Sequence, residues 1–145
     1  MAGEIVLGYD GQEGSDAALR TAVAVAAAFK RPLVVAFGYA PTAMGGEVAA
    51  ISEKVEELGA SITAEAIAKA KAIDPSVEVK AELVNDRPAE AILRAADTYD
   101  ALAIVVGATG RGPIAGALLG SVTYNVVHRS RRPVLVVPLH EDGAS

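Results

Sequence analysis

A chain of 145 residues that is 52% hydrophobic can bury a core without disulfides or metal, and one domain is expected. The absence of cysteine excludes a disulfide framework, a thiolate nucleophile and thiolate zinc sites, and fits a reducing compartment. A net charge of -5 argues against nucleic acid as partner, because proteins that bind it normally carry a basic face.

Strand-like sequence begins by Glu4, leaving no room for a signal peptide, and the apolar stretch Ala22 to Phe29 is too short to cross a bilayer. A cytoplasmic chain with no membrane span is therefore expected. Glu4 to Tyr9 is a β-branched and aliphatic run, and Ser15 is expected to cap the alanine-rich helix that continues to about Phe29. Pro32 to Tyr39 reads as the second strand. Ala40 to Gly46, with Pro41 and two glycines, reads as a loop into a long covering helix from about Glu47 to Ala72, stopped by Asp74-Pro75. Glu78 to Leu83 alternates polar and apolar residues, which predicts a strand at a sheet edge with one wetter face. Pro88 suits the first turn of a helix reaching Thr98. Ala101 to Gly107 is a continuous apolar run, as expected of a central parallel strand covered on both faces. A helix from Gly120 to about Arg129 and a strand from Pro133 to Val137 complete the series.

Strands alternating with helices predict right-handed crossovers and a doubly wound α/β domain, a five-stranded parallel sheet in the order 3-2-1-4-5 with helices on both faces. In that order the first and fourth strands are neighbours at the reversal of winding, and the crevice at their carboxyl ends is the expected ligand position. Asp10 and Gly107 converge there.

Gly107 to Thr123 reads G-A-T-G-R-G-P-I-A-G-A-L-L-G-S-V-T and joins that central strand to a helix. Glycines followed by a hydroxyl-bearing helix start can hold phosphate, since free N–H groups and the helix dipole point at the anion. The dinucleotide fingerprint G-x-G-x-x-G is absent, because Gly8, Gly11 and Gly14 have the wrong spacing and Asp10 stands among them. A carboxylate there suits a ribose hydroxyl or a phosphate-bound magnesium ion better than phosphate itself. A Walker loop fails as well, with Pro113 where its lysine belongs. In the arrangement left, Gly107 lets the ribose and first phosphate approach, Gly110 with Arg111 forms the loop, and Gly120 with Ser121 opens the last helix. Ser121 and Thr123 can each offer a hydroxyl. Arg129, Arg131 and Arg132 lie roughly 12 Å away at the far end of that helix, where a helix-end dipole role fits better. His128 and His140 have no partner at metal-ligand spacing and are expected to be structural or exposed.

These features resemble the universal stress protein family, specifically its ATP-binding branch, over nearly the whole chain. The family pattern G-x2-G-x9-G-[S/T] is met by Gly107, Gly110, Gly120 and Ser121. The start I-V-L-G-Y-D-G-Q-E-G-S-D-A-A-L and the segment P-V-L-V-V-P at 133 to 138 are similarly typical. Asp86-Arg87-Pro88 stands where the family often has G-x-P. The resemblance implies a universal stress protein domain over residues 1–145 that binds an adenine nucleotide, ATP or else ADP or AMP, with Mg where present contacted by Asp10. The implied nucleotide site comprises Gly8, Tyr9, Asp10, Gly38, Gly107, Gly110, Arg111, Gly120, Ser121, Val122 and Thr123. A homodimer joined through the last strands is also implied, with Val134, Leu135, Val136 and Val137 at the interface. Three functional classes stay open at this point: a nucleotide-dependent stress or signalling module, a slow ATPase, and a nucleotide-independent dimeric adaptor. Cyclic AMP is an alternative ligand. Apart from Asp10 the motif offers no general base, so hydrolysis is expected to be slow at most.

Overall fold

The computed structural model describes residues 3–39, 48–108 and 119–138; the expected loop at 40–46, together with Gly110, Arg111, Pro113 and His140, lies outside them. The elements in chain order are β1 (Ile5–Gly8), α1 (Glu13–Phe29), β2 (Leu33–Gly38), α2 (Val48–Ile73), β3 (Val79–Val84), α3 (Pro88–Thr98), β4 (Ala103–Gly107), α4 (Ser121–Arg129) and β5 (Val134–Val137). All five strands are parallel in the order β3-β2-β1-β4-β5, as the alternation of strands and helices predicts. Val6 of β1 pairs with Val34 of β2 on one side and Ile104 of β4 on the other, so β1 is the centre of the sheet.

Strand alternation sends successive side chains to opposite faces. Ile5, Leu7 and Tyr9 join Leu33, Val35 and Val105 under α1 and α2, whereas Val6, Val34, Ala36, Ile104 and Val106 meet Ile92 of α3 and Val126 of α4. The covering helices approach closely because their inner stripes are small. Ala18, Ala22 and Ala26 of α1, spaced four apart, are fully buried, as are Ala66 and Ala70 of α2.

Cross-helix ion pairs fix the layers. On one face Lys69 of α2 meets Asp16 of α1 at 3.1 Å. On the other, Arg129 at the end of α4 forks onto Glu90 of α3 at 2.8 and 2.6 Å, and Arg132 reaches Asp97 and Asp100. The expected dipole role for these arginines is thus overshadowed by ion pairs, which hold Glu90 below the usual carboxylate range through Arg129. β3 is a half-exposed edge strand, as its alternation predicts. Its wetter face carries Lys80, which pairs with Glu4 and lies 4.6 Å from the centre of the Tyr99 ring, and Glu82, which accepts the Tyr99 hydroxyl.

Ser15 does not cap α1. The helix begins two residues earlier, with Gln12 as an N-cap that makes no side-chain bond. The Ser15 hydroxyl turns back to Asp10 instead. Among the described residues no helix is long and apolar enough to cross a membrane.

Candidate functional site

A cleft of about 340 Å³ opens at the carboxyl ends of β1, β2 and β4, between the first turns of α1, α3 and α4. This is the reversal of winding, where neighbouring strands send their connections to opposite faces and leave a gap. Two glycines let the surrounding helices come this close. A Cβ on Gly107 would lie 2.8 Å from the Gly14 carbonyl oxygen, and one on Gly38 would lie 2.8 Å from the Pro88 Cα and 2.9 Å from the Asp86 carbonyl oxygen. Those are backbone atoms, which cannot step aside. The missing side chain at Gly107 therefore seats the first turn of α1, and that at Gly38 seats α3, while both residues also line the cleft.

One wall is the start of α4. Gly120, in an extended conformation, donates its N–H to the Ala108 carbonyl at 2.9 Å, and Ala108 in turn donates to Val137. The next three amides, those of Ser121, Val122 and Thr123, are the first of the helix and have no acceptor among the described residues. All three residues line the cleft. Ser121 is exposed, and its hydroxyl is free to turn toward an anion. Thr123 is not: its hydroxyl donates to the Gly107 carbonyl, and the side chain is buried. The expectation that Thr123 offers a hydroxyl to a ligand is thereby corrected. It ties α4 to β4 and leaves only its amide facing outward.

The opposite wall is the turn after β1. Asp10 Oδ1 accepts the Gln12 N–H at 2.9 Å and the Ser15 hydroxyl, while the Ser15 oxygen accepts the Asp10 N–H at 3.0 Å. Every bond to this carboxylate among the described residues falls on Oδ1. Among the described residues Asp10 is the one acidic residue lining the cleft, and no group of three or more acidic, histidine or cysteine side chains suited to a metal is found among them.

Tyr9 is among the residues at the cleft. Its N–H is engaged by the Ala36 carbonyl at 3.2 Å, and its ring lies in the core beneath, 4% exposed, with the hydroxyl donating to Asp16 at 2.8 Å. Burial first, and then Asp16, push the Tyr9 hydroxyl up to about 12. The floor and the third wall are apolar: Ala36, Phe37 and Gly38 of β2, Pro88 and Ile92 of α3, and Val106. Gly8 is here too, its α-carbon set against the Ile92 side chain.

The arrangement thus offers donors for an anion at α4, an acceptor for hydroxyl groups at Asp10, and an apolar slot for a flat group between β2 and α3. Gly8, Tyr9, Asp10, Gly38, Gly107, Gly120, Ser121, Val122 and Thr123 all reach this cleft, while Gly110 and Arg111 lie outside the described residues. Sequence reasoning did not include Gly14, Ser15, Ala36, Phe37, Pro88, Ile92 and Val106 in the site. A signal existed for Ile92, which stands one helical turn after Pro88 on the face that looks back at β1. No local signal marked Ser15 as the partner of Asp10 rather than a cap.

The comparisons with known proteins bear on the fold and the family. The chain matches the universal stress protein family over residues 1–138. A universal stress protein of Mycobacterium tuberculosis is 33% identical over 140 residues, which cover 92% of this chain and 94% of the relative. A longer universal stress protein of the same organism is 44% identical over 62 residues, 43% of this chain, and there the chain spans only 20% of the curated relative's length. Among solved structures, a universal stress protein in complex with cAMP aligns with a TM-score of 0.73 at 31% identity, covering 96% of this chain and 99% of the other. With that match extending from the first strand to the last, the chain belongs to the universal stress protein family.

Proposed function

We propose that this chain is an adenine-nucleotide-binding module, with ATP its principal ligand and ADP or AMP alternatives, acting as a homodimer whose nucleotide state is read in stress response or signalling. The observation that carries the proposal is the row of three amides at Ser121, Val122 and Thr123, which have no acceptor among the described residues, beside a cleft of about 340 Å³. Amides at a helix start, aided by the dipole, are a ready site for the negative tail of a nucleotide. Asp10 on the far wall supplies an acceptor for ribose hydroxyls, and the apolar slot between Ala36 and Gly38 of β2 and Pro88 and Ile92 of α3 suits adenine. Where Asp10 met a magnesium ion carried by the phosphates, it would do so in place of the ribose hydroxyls, and the ion would take its other ligands from phosphate and water. The dimer would form through β5, where Leu135 is 42% exposed.

Cyclic AMP is a second reading, favoured by the solved protein that is 31% identical and holds that ligand. The test is to denature the freshly purified protein, identify any released nucleotide by mass, and titrate ATP, ADP, AMP and cyclic AMP calorimetrically. Binding of ATP at micromolar concentration, with a rise in melting temperature, is the expected result. Tighter binding of cyclic AMP than of ATP would replace the first reading by the second, and no binding of any of the four would leave a nucleotide-independent adaptor.

A further inference from the structure

Asp10 and Ser15 form a closed pair. The Ser15 hydroxyl accepts the Asp10 N–H at 3.0 Å and donates its own proton to Asp10 Oδ1, and the Gln12 N–H fills the same oxygen at 2.9 Å. Ser15 is buried in the first turn of α1, so the hydroxyl is anchored by the helix and not by solvent. The consequence is asymmetric. Oδ1 is held by two donors that belong to the protein, the carboxylate cannot rotate freely, and among the described residues Oδ2 is left with both lone pairs at a residue that lines the cleft.

From this we infer that Ser15 is a positioning residue that makes Asp10 a reader of the ribose hydroxyls, giving the site its preference for ribonucleotides over 2′-deoxyribonucleotides; the inference rests on the adenine-nucleotide reading above. A single carboxylate oxygen can accept from two adjacent hydroxyl groups, whereas a deoxyribose offers only one. Hydrogen bonds to a charged group are among the stronger ones, and a site shaped for a hydroxyl leaves an acceptor unpaired when the hydroxyl is absent. Holding the acceptor in place is what turns that difference into selectivity. With Ser15 replaced by alanine, Oδ1 keeps only the Gln12 amide, the carboxylate gains rotational freedom, and its aim is lost.

The test is calorimetric titration of ATP and 2′-deoxyATP into the intact protein and into Ser15→Ala and Ser15→Thr. The wild-type protein should prefer ATP by about ten-fold or more, the size expected for one hydrogen bond to a charged acceptor. Ser15→Ala should lose more affinity for ATP, which gives up two hydroxyl contacts, than for 2′-deoxyATP, which gives up one, so that the preference falls toward unity, and Ser15→Thr, which keeps the hydroxyl, should recover most of it. Unchanged far-ultraviolet circular dichroism of the unliganded variants serves as the control for correct folding. Equal loss of both ligands in Ser15→Ala, with no recovery in Ser15→Thr, would make Ser15 merely structural and overturn the inference. So would a preference that survives in Ser15→Ala, or a wild type that binds ATP without discriminating; in both cases the nucleotide reading stands. A wild type that binds neither ligand removes the nucleotide reading and this inference together.

Discussion

Tyr9 belongs at once to the cleft and to the core. It is among the residues at the cleft, while its ring is buried and its hydroxyl is shared with Asp16 and, through Asp16, with Lys69. Since burial and Asp16 raise the hydroxyl from 10.0 to about 12, the protonated form is favoured in the folded state. A raised value stabilises fully below the unfolded value and is lost as pH climbs through the folded one. The window is therefore pH 10 to 12, and the full effect is at most about 2 to 3 kcal/mol. Tyr9→Phe should cost about 1 kcal/mol at pH 7, where a hydrogen bond to a carboxylate is lost. That deficit should shrink or reverse above pH 11, because phenylalanine has no proton to lose. Urea unfolding of both proteins at pH 7 and pH 11 measures it, and a pH-independent difference would refute the assignment; Tyr99, held similarly high by Glu82, is present in both and cancels. At this scale the chemical types in the site are legible from sequence. A carboxylate at the end of the first strand and a Gly-Ser pair at a helix start declare themselves by their place in the pattern. What the sequence cannot convey is which acceptor a hydroxyl will choose. Thr123 and Ser15 look like phosphate ligand and helix cap, yet one meets Gly107 and the other Asp10, because those partners are set by how strands and helices come together.

The start of α4 is the element on which the functional reading depends, and it can be tested apart from its side chains. Gly120 has φ -63° and ψ 159°, a conformation that proline tolerates in the residue before it, and Ser121 is the first helical residue. Proline at that position fits the fixed φ of a first turn and removes an amide that no helix bond uses. Ser121→Pro should leave the fold intact and weaken ATP by about ten-fold, taking an amide-to-phosphate bond as charge-assisted, with adenosine binding unaffected. Ser121→Ala removes only the hydroxyl and should have the smaller effect. Calorimetric titration of ATP and adenosine into both variants provides the comparison. Equal weakening by the two variants would assign the contribution to the hydroxyl, and no weakening by proline would remove the amide from the account. The elements themselves are well marked in the sequence, with every described boundary within two residues of expectation except the start of α1. Pro88 and Asp74-Pro75 mark ends covalently, and the unbroken apolar run of β4 leaves it nowhere to go but the middle of the sheet. The start of α1 is harder to read because Gln12, with no capping side-chain bond, gives no local signal, while Ser15 gives a misleading one.

Across the whole molecule the two edges of the sheet are treated differently. β3 carries Lys80 and Glu82 in polar contacts with Glu4 and Tyr99, and charges at an edge discourage another strand from pairing there. β5 has the sequence V-L-V-V, pairs among the described residues only with β4, and leaves Leu135 42% exposed. An apolar edge with unpaired N–H and C=O groups is a template for a further strand, and a second copy of the same strand related by a two-fold axis satisfies both copies at once. If the proposed dimer forms there, Leu135→Glu places two like charges near that axis and desolvates them on association. The variant should sediment as a monomer at concentrations where the wild type is a dimer. Because Leu135 contributes little to the monomer's core, the far-ultraviolet circular dichroism should be unchanged, and ATP affinity should shift by less than about three-fold, the site being formed at the other side of β4. Sedimentation velocity across a hundred-fold range of concentration, with a nucleotide titration of each species, decides the matter. A wild type that stays monomeric throughout, or a variant that dimerises as well as the wild type, would place assembly on another surface and leave the apolar β5 edge without a partner.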